Sequence, residues 1–394
     1  MKTENLRQKT DASHRVENDN PVHYLLTLLI NPSEIKSYLS ALNNEQLLNL
    51  MDQISNHCGP INHLQMQRVQ EVLDLELLKR KLADTDTLNH LRARHTVHKW
   101  TLNQSNEFVD SNTGEKATNL AKMYSLMKFG SQKEITIFAQ QIAKDFLARI
   151  DQQNNDLRTW VEAIANANEH IVLLVPGSRN VESASNYVYD QAIQIINAGL
   201  ALRQLPTIVN VKLPKIGLQT DNYATLTQEQ RAALPPITEH ILPGKDFYQF
   251  PVHVLFGDDC RITGSTGHKV QASAQENGAR SFRSLYLVTI DPLVAELMPS
   301  VEDKLNRSQV TGDLDESICY ILEQYDFKPV QKLLRLLLDK KNRPMLHTFF
   351  EQNISERSLV KVVQGALGNN FHTDPQFAES VSILVNLSIS KNLI

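Results

Sequence analysis

Two adjacent carboxylates, Asp258 and Asp259, stand four residues ahead of the turn Thr263-Gly264-Ser265-Thr266-Gly267. Acids of this kind can hold sugar hydroxyls, or a magnesium ion, which prefers oxygen ligands. The turn has a different chemistry. Its glycines permit tight curvature, and consecutive backbone N–H groups can then converge on an anion. The hydroxyls of Thr263, Ser265 and Thr266 add further donors. A helix that follows would contribute the positive end of its dipole. A ligand with a ribose beside a 5′-phosphate would satisfy both halves. Taken singly, each half has a plainer reading: a solvated loop for the acids, a generic helix start for the turn.

These residues need elements that place them. The apolar run 252–256 (VHVLF) reads as a strand that delivers the acids to its C-terminal end, the edge where open α/β sheets bind ligands. A helix is expected over about 269–277, and a last strand over 284–290 (SLYLVTI). Upstream, 171–175 (IVLLV) reads as a strand ending at Pro176-Gly177, 183–204 as a helix and 207–213 (TIVNVKL) as a further strand. Residues 119–150 look helical, with Ile135, Phe138, Ile142 and Phe146 on one side. Strands separated by helices favour a mainly parallel sheet and an α/β fold.

Flanking this core, 1–20 reads as a disordered tail and 21–95 as helices, broken at Asn43-Asn44 and stopped at Cys58-Gly59-Pro60. Residues 96–118 fit a short hairpin or a linker. The chain is helical again in its last part, with dense leucines at 333–338. The expected division is therefore a tail (1–20), an N-terminal helical region (21–95), an α/β domain (96–305) and a C-terminal helical region (306–394).

The segment Asp258-Asp259-Cys-Arg-Ile-Thr263-Gly264-Ser265-Thr266 resembles the phosphoribosyl-pyrophosphate (PRPP) motif of type I phosphoribosyltransferases, with Gly257 standing where that family usually has an apolar residue. The resemblance implies that Asp258 and Asp259 meet the ribose hydroxyls and bear on Mg2+ indirectly, through those hydroxyls or water. It implies that Thr263 to Gly267 cradle the 5′-phosphate. It places a pyrophosphate loop at Gly177, Ser178 and Arg179, where an arginine can fork onto two oxygens; an ordinary turn with an exposed arginine is the alternative. It also implies a loop after the strand at 207–213 that closes over the site, with Lys212 and Lys215 neutralising the leaving pyrophosphate; surface lysines at a strand end are the alternative there. The base-selecting hood falls on 291–305 or on part of the N-terminal region. The implied activity is transfer of a phosphoribosyl group to a nitrogenous acceptor. A PRPP or nucleotide sensor on the same fold, and a hydrolase or phosphorylase of nucleoside phosphates, are the competing readings.

The stretch Tyr124-Ser-Leu-Met-Lys128-Phe-Gly130 resembles a segment of a bacterial branch of phosphoribosyltransferase-like proteins. Lys128 reads as a solvated helix end before Gly130, with facing the site as the alternative. His95 and His98 lie three apart, but no acid or cysteine completes a metal set, so both read as surface or interface residues. Cys260 reads as a packing residue. There is no GxSxG elbow and no GxxxxGK[ST] loop.

Composition bounds the rest. Three separated cysteines give no disulfide framework and favour a reducing compartment. A net charge of −4 with no basic block gives no reason to expect nucleic acid. The longest apolar runs fall far short of a membrane span, and the polar first twenty residues lack a secretory apolar stretch. A soluble, cytoplasmic protein is expected, with export as an effector the other option. A protein partner on the helical flanks and a homodimer are expectations left open.

Overall fold

The computed structural model describes residues 94–153, 155–214, 242–262, 264–291, 294–295, 298 and 300–394, with positions 38–42, 47, 73 and 76 of the preceding region. The chain divides into two units, Met1–Ala93 and Arg94–Ile394. In the first, positions 38–41, 47, 73 and 76 are helical, and Leu39, Leu42, Leu47 and Leu73 are buried. The expected tail at 1–20 and the breaks at 43–44 and 58–60 lie outside the described residues.

The second unit is built on a six-stranded sheet. Its strands are β1 (Arg94–Leu102), β2 (Phe108–Asp110), β3 (His170–Ser178), β4 (Ile208–Pro214), β5 (Val252–Arg261) and β6 (Ser281–Ile290). The order is β2-β1-β6-β5-β3-β4, parallel throughout except for the β1–β2 hairpin. Residues 96–118 thus supply a hairpin, and its first strand starts inside the stretch expected to be helical. The pull on that strand is its parallel pairing with β6, from Arg94↔Ser284 to Trp100↔Ile290.

Helices cover both faces, which is why Ile171–Val175 reads as an unbroken apolar run: every one of those five side chains is buried. One face packs Val172, Val254, Phe256 and Tyr286 under α5 (Ser265–Glu276), which contributes Val270 and Ala274. The other packs Leu173, Leu255 and Leu285 against α1 (Thr118–Lys128), α2 (Gln132–Asp151), α3 (Asp156–Ala167) and α4 (Ala184–Leu202). The expected single helix over 119–150 is two helices. Gly130, at φ 96°, breaks it. The start of α4 is fixed by a capping box between Ser183 and Asn186.

Beyond the sheet come α6 (Val301–Asn306), α7 (Glu316–Leu322), α8 (Gln331–Leu338), α9 (Arg343–Asn353), α10 (Glu356–Gly368) and α11 (Ala378–Ser390). They do not form a separate body. Leu333, Leu334, Leu337 and Leu338 of α8 join the same apolar core as α1, α2 and the sheet. Polar ties run across as well: Ser125 Oγ donates to the Asn306 carbonyl (2.5 Å), and the Val181 N–H donates to Asn369 Oδ1 (3.0 Å).

Candidate ribose-phosphate site

β5 runs five residues further than its apolar stretch, so both acids lie within the strand. Gly257, standing where an apolar residue is usual, is buried inside the strand. A Cβ there would lie 2.6 Å from the Tyr189 ring of α4, so glycine is what lets that tyrosine close down. The Tyr189 hydroxyl lies 3.0 Å from the Asp258 carbonyl and also against the Leu285 carbonyl, so its one proton pins the backbone of β5 or β6 at this level.

Successive strand residues point to opposite faces, and this separates the two acids. Asp258 shares a face with Phe256 and lies opposite Tyr286 in the register, on the side of α5. Asp259 points the other way, to α1. There it is buried and accepts hydrogen bonds on Oδ2 from the Tyr124 hydroxyl (2.7 Å) and the Lys128 ammonium (2.5 Å). Lys128 is therefore not a solvated helix end; it is drawn in by a carboxylate that burial would otherwise leave uncompensated.

The electrostatics follow this division. Burial pushes Asp259 up, but the Lys128 charge and the hydrogen bonds from Lys128 and Tyr124 outweigh it and hold the carboxyl below its ordinary range. Asp258 moves strongly the other way, through burial first and then the neighbouring Asp259 charge. Of the pair, Asp258 is the one that favours a proton, and Asp259 is the one that favours its charged form. Cys260 packs against the apolar core, and burial together with Asp259 pushes its thiol well up, which fits packing rather than nucleophilic attack.

α5 begins four residues before the expected start, inside the turn itself. Gly264 caps it in the left-handed conformation (φ 74°), which glycine adopts without cost. The first ladder bond runs from the His268 N–H to the Gly264 carbonyl (3.0 Å). The N–H groups of the first turn, carried by Ser265, Thr266 and Gly267, therefore lie outside the ladder, at the positive end of a twelve-residue helix.

Asp258, Asp259 and Gly264 to Gly267 line one cleft of about 100 Å³, together with Lys128, Arg261, Tyr286 and Glu302. Thr263 lies outside the described residues. Glu302 falls within the stretch expected to form the hood. Arg261 sits inside the motif, but nothing in its spacing distinguishes it; Tyr286 looked like an ordinary strand residue. Gly177, Ser178 and Arg179 do not line this cleft. Gly177 and Ser178 end β3 and Arg179 follows it, at the same sheet edge, since Leu174 pairs with Phe256 two residues before Asp258. Lys212 lies on β4, with β3 between it and β5, and its ammonium is held by Glu182 and by Asp190 (2.8 Å). Lys215 lies outside the described residues, as do 216–241. His95 corrects the surface reading: it is 5% exposed, with Nε2 3.3 Å from Arg283 Nη1. His98 is bonded to Gln141 Oε1 (2.8 Å) and stacks on Trp100. Among the described residues no group of three or more His, Cys, Asp or Glu side chains is placed to hold a metal ion. No described helix is long and apolar enough to cross a membrane.

A strand carrying paired acids, followed by a phosphate-type turn at the head of a helix, at the C-terminal edge of a parallel sheet, defines a phosphoribosyltransferase-type fold. The family model described as PRTase ComF-like matches residues 114–384. The chain belongs to the ComF-like phosphoribosyltransferase family. No curated protein and no solved structure matches it.

Proposed function

We propose that the cleft binds the ribose 5-phosphate part of PRPP and that the protein transfers this phosphoribosyl group to a nitrogenous acceptor. The observation that carries the reading is the joint lining of one cleft by Asp258 and the first turn of α5. In this reading the N–H groups and hydroxyls of residues 265–267 take the 5′-phosphate, and Asp258 takes ribose hydroxyls. Asp259, paired with Lys128, holds the strand end in place, and burial followed by the Asp259 charge favours the protonated form of Asp258.

Displacement at ribose C1 forms a bond from the acceptor nitrogen and breaks the bond to the diphosphate oxygen. The diphosphate leaves as an anion and the acceptor gives up its proton. The chain's part is positioning and charge placement around an oxocarbenium-like centre. In its ionised form Asp258, which shares the cleft lining with Asp259 and Glu302, would hold a magnesium ion that brings most of its oxygen ligands from the diphosphate and water. When bound, that ion neutralises charge on the leaving group.

The Lys128–Asp259 pair favours a second reading, in which the ligand is bound and sensed but not turned over, because one of the two acids is already occupied. Calorimetric titration with PRPP and Mg2+, followed by assay of pyrophosphate release with a panel of bases, separates the two. Turnover that requires a base supports the transferase, and binding without turnover supports the sensor. If neither Asp258→Asn nor Thr266→Ala changes the affinity for PRPP, the site assignment fails.

A further inference from the structure

Tyr286 of β6 stands beside Asp258 of β5 in the strand register, and both line the candidate cleft. Its side chain is packed: it is 4% exposed, with its ring edge-on to Phe256. Its hydroxyl reaches under the first turn of α5, where a Cβ on Gly267 would overlap the oxygen. Among the described residues no hydrogen bond of ordinary geometry holds that hydroxyl, and Ser284, two positions back on the same strand face, bears on it only weakly. The oxygen is nonetheless not sealed in the interior; it opens to the cleft. Folding alone does not favour this arrangement. With the hydroxyl removed, the nearest atom to a Cβ at position 267 would be a Phe256 ring carbon at 3.5 Å, an ordinary contact. Alanine and phenylalanine would therefore fit together at 267 and 286, with a better helix former and no unpaired buried hydroxyl. Glycine and tyrosine instead keep a donor pointed at the cleft. Burial, and then the Asp258 charge, push this hydroxyl up to about 12, so it holds its proton at any ordinary pH. The Arg261 guanidinium packs against the same turn, with Nε 3.0 Å from where a Cβ on Gly264 would stand.

We infer that the Tyr286 hydroxyl is a ligand-binding donor: it meets an oxygen of the ligand's phosphate from the sheet side, while the N–H groups of residues 265–267 meet others from the helix side. The inference rests on the ribose 5-phosphate reading of the cleft and adds a residue to it. Donors that approach from two sides, with a guanidinium at the turn, suit the several oxygens of a tetrahedral phosphate monoester.

The test is calorimetric titration of the full chain and of Tyr286→Phe with ribose 5-phosphate, and with inorganic phosphate as its competitor. Tyr286→Phe is expected to weaken both by about tenfold or more, the worth of one hydrogen bond to a charged group. Without ligand the same variant should melt no lower than the parent, because the lost hydroxyl has no partner in the fold. Gly267→Ala should melt lower, and Gly267→Ala/Tyr286→Phe should regain the parent's melting temperature. Unchanged affinities for Tyr286→Phe overturn the inference. So does a loss confined to ribose 5-phosphate, or a parent that phosphate does not compete for, since the hydroxyl would then serve the sugar. A Tyr286→Phe chain that melts lower or fails to fold makes the hydroxyl structural, and a double variant no better than Gly267→Ala takes it out from under the turn; either result also overturns it. A parent that binds ribose 5-phosphate while Tyr286→Phe changes nothing refutes this inference alone, whereas a parent that binds neither probe refutes the ribose-phosphate reading and the inference with it.

Discussion

Lys128 and Asp259, 131 positions apart in the chain, meet at 2.5 Å in the floor of the candidate cleft, and Tyr124 donates to the same carboxylate oxygen. The pair turns two adjacent acids into unlike groups. One is a charge-paired anchor on the α1 side of the sheet. The other faces the phosphate-type turn.

Breaking this pair from one side should be severe. Lys128→Met leaves Asp259 buried without its counter-charge, at a cost of about 3–5 kcal/mol. The double variant Lys128→Met/Asp259→Leu should recover much of that loss, because both charges leave together. Urea unfolding of the single and double variants reads this directly. A double variant as unstable as the sum of the singles would show that the two do not act as a pair.

Gly257→Val should also destabilise, for a different reason. The added atoms meet the Tyr189 ring, which is itself packed under the sheet. Overpacking of this kind costs about 1–3 kcal/mol. Gly257→Val combined with Tyr189→Leu should regain part of the loss in thermal melting, since the smaller side chain clears the space.

A third expectation concerns acid. Burial, and then the charges of Arg283 and Arg149, lower His95 from 6.5 to about 3. Between those values the unfolded chain takes up a proton that the folded chain refuses. Stability from this site is therefore fully present above pH 6.5 and falls as the pH drops through the window. From pH 7 to pH 5 the loss is about 2 kcal/mol, from 1.5 pH units at about 1.4 kcal/mol each. His95→Gln should flatten this part of the profile in urea titrations at the two pH values; an unchanged slope would place the acid sensitivity elsewhere.

The candidate cleft makes its own prediction. Thr266→Ala removes one hydroxyl at the head of α5 and should weaken a bound phosphate by about tenfold, while the helix and the melting temperature stay close to the parent. Asp258→Asn keeps the shape but removes the titrating group, so any change in ligand affinity with pH should shrink with it. Titrations at several pH values check both.

Much of this architecture was legible because strong local patterns agreed with the tertiary outcome. The run at 171–175 is apolar on both faces because both faces are covered. The acids and the turn announced themselves by their spacing. What was hidden depended on distant partners. Lys128 looks like any lysine at a helix end until Asp259 is folded beneath it. His95 sits among polar residues and is buried only because β6 pairs with its strand and Arg283 reaches its ring. The break at Gly130 was masked by apolar spacing that runs through both helices, and the boundary of β5 by acids that a local reading assigns to a loop.

The helices after residue 300 close the core that the sheet opens, and the Asn369 side chain holds the backbone just past β3. The consequence concerns inheritance. A recombination event that swapped the segment after residue 305 would have to replace a large part of a shared interior and the fastening of the loop that follows β3. Sheet and C-terminal helices can therefore be expected to travel together through descent, and substitutions in α8 and α10 to be constrained by residues of α1 and β3 rather than free to diverge.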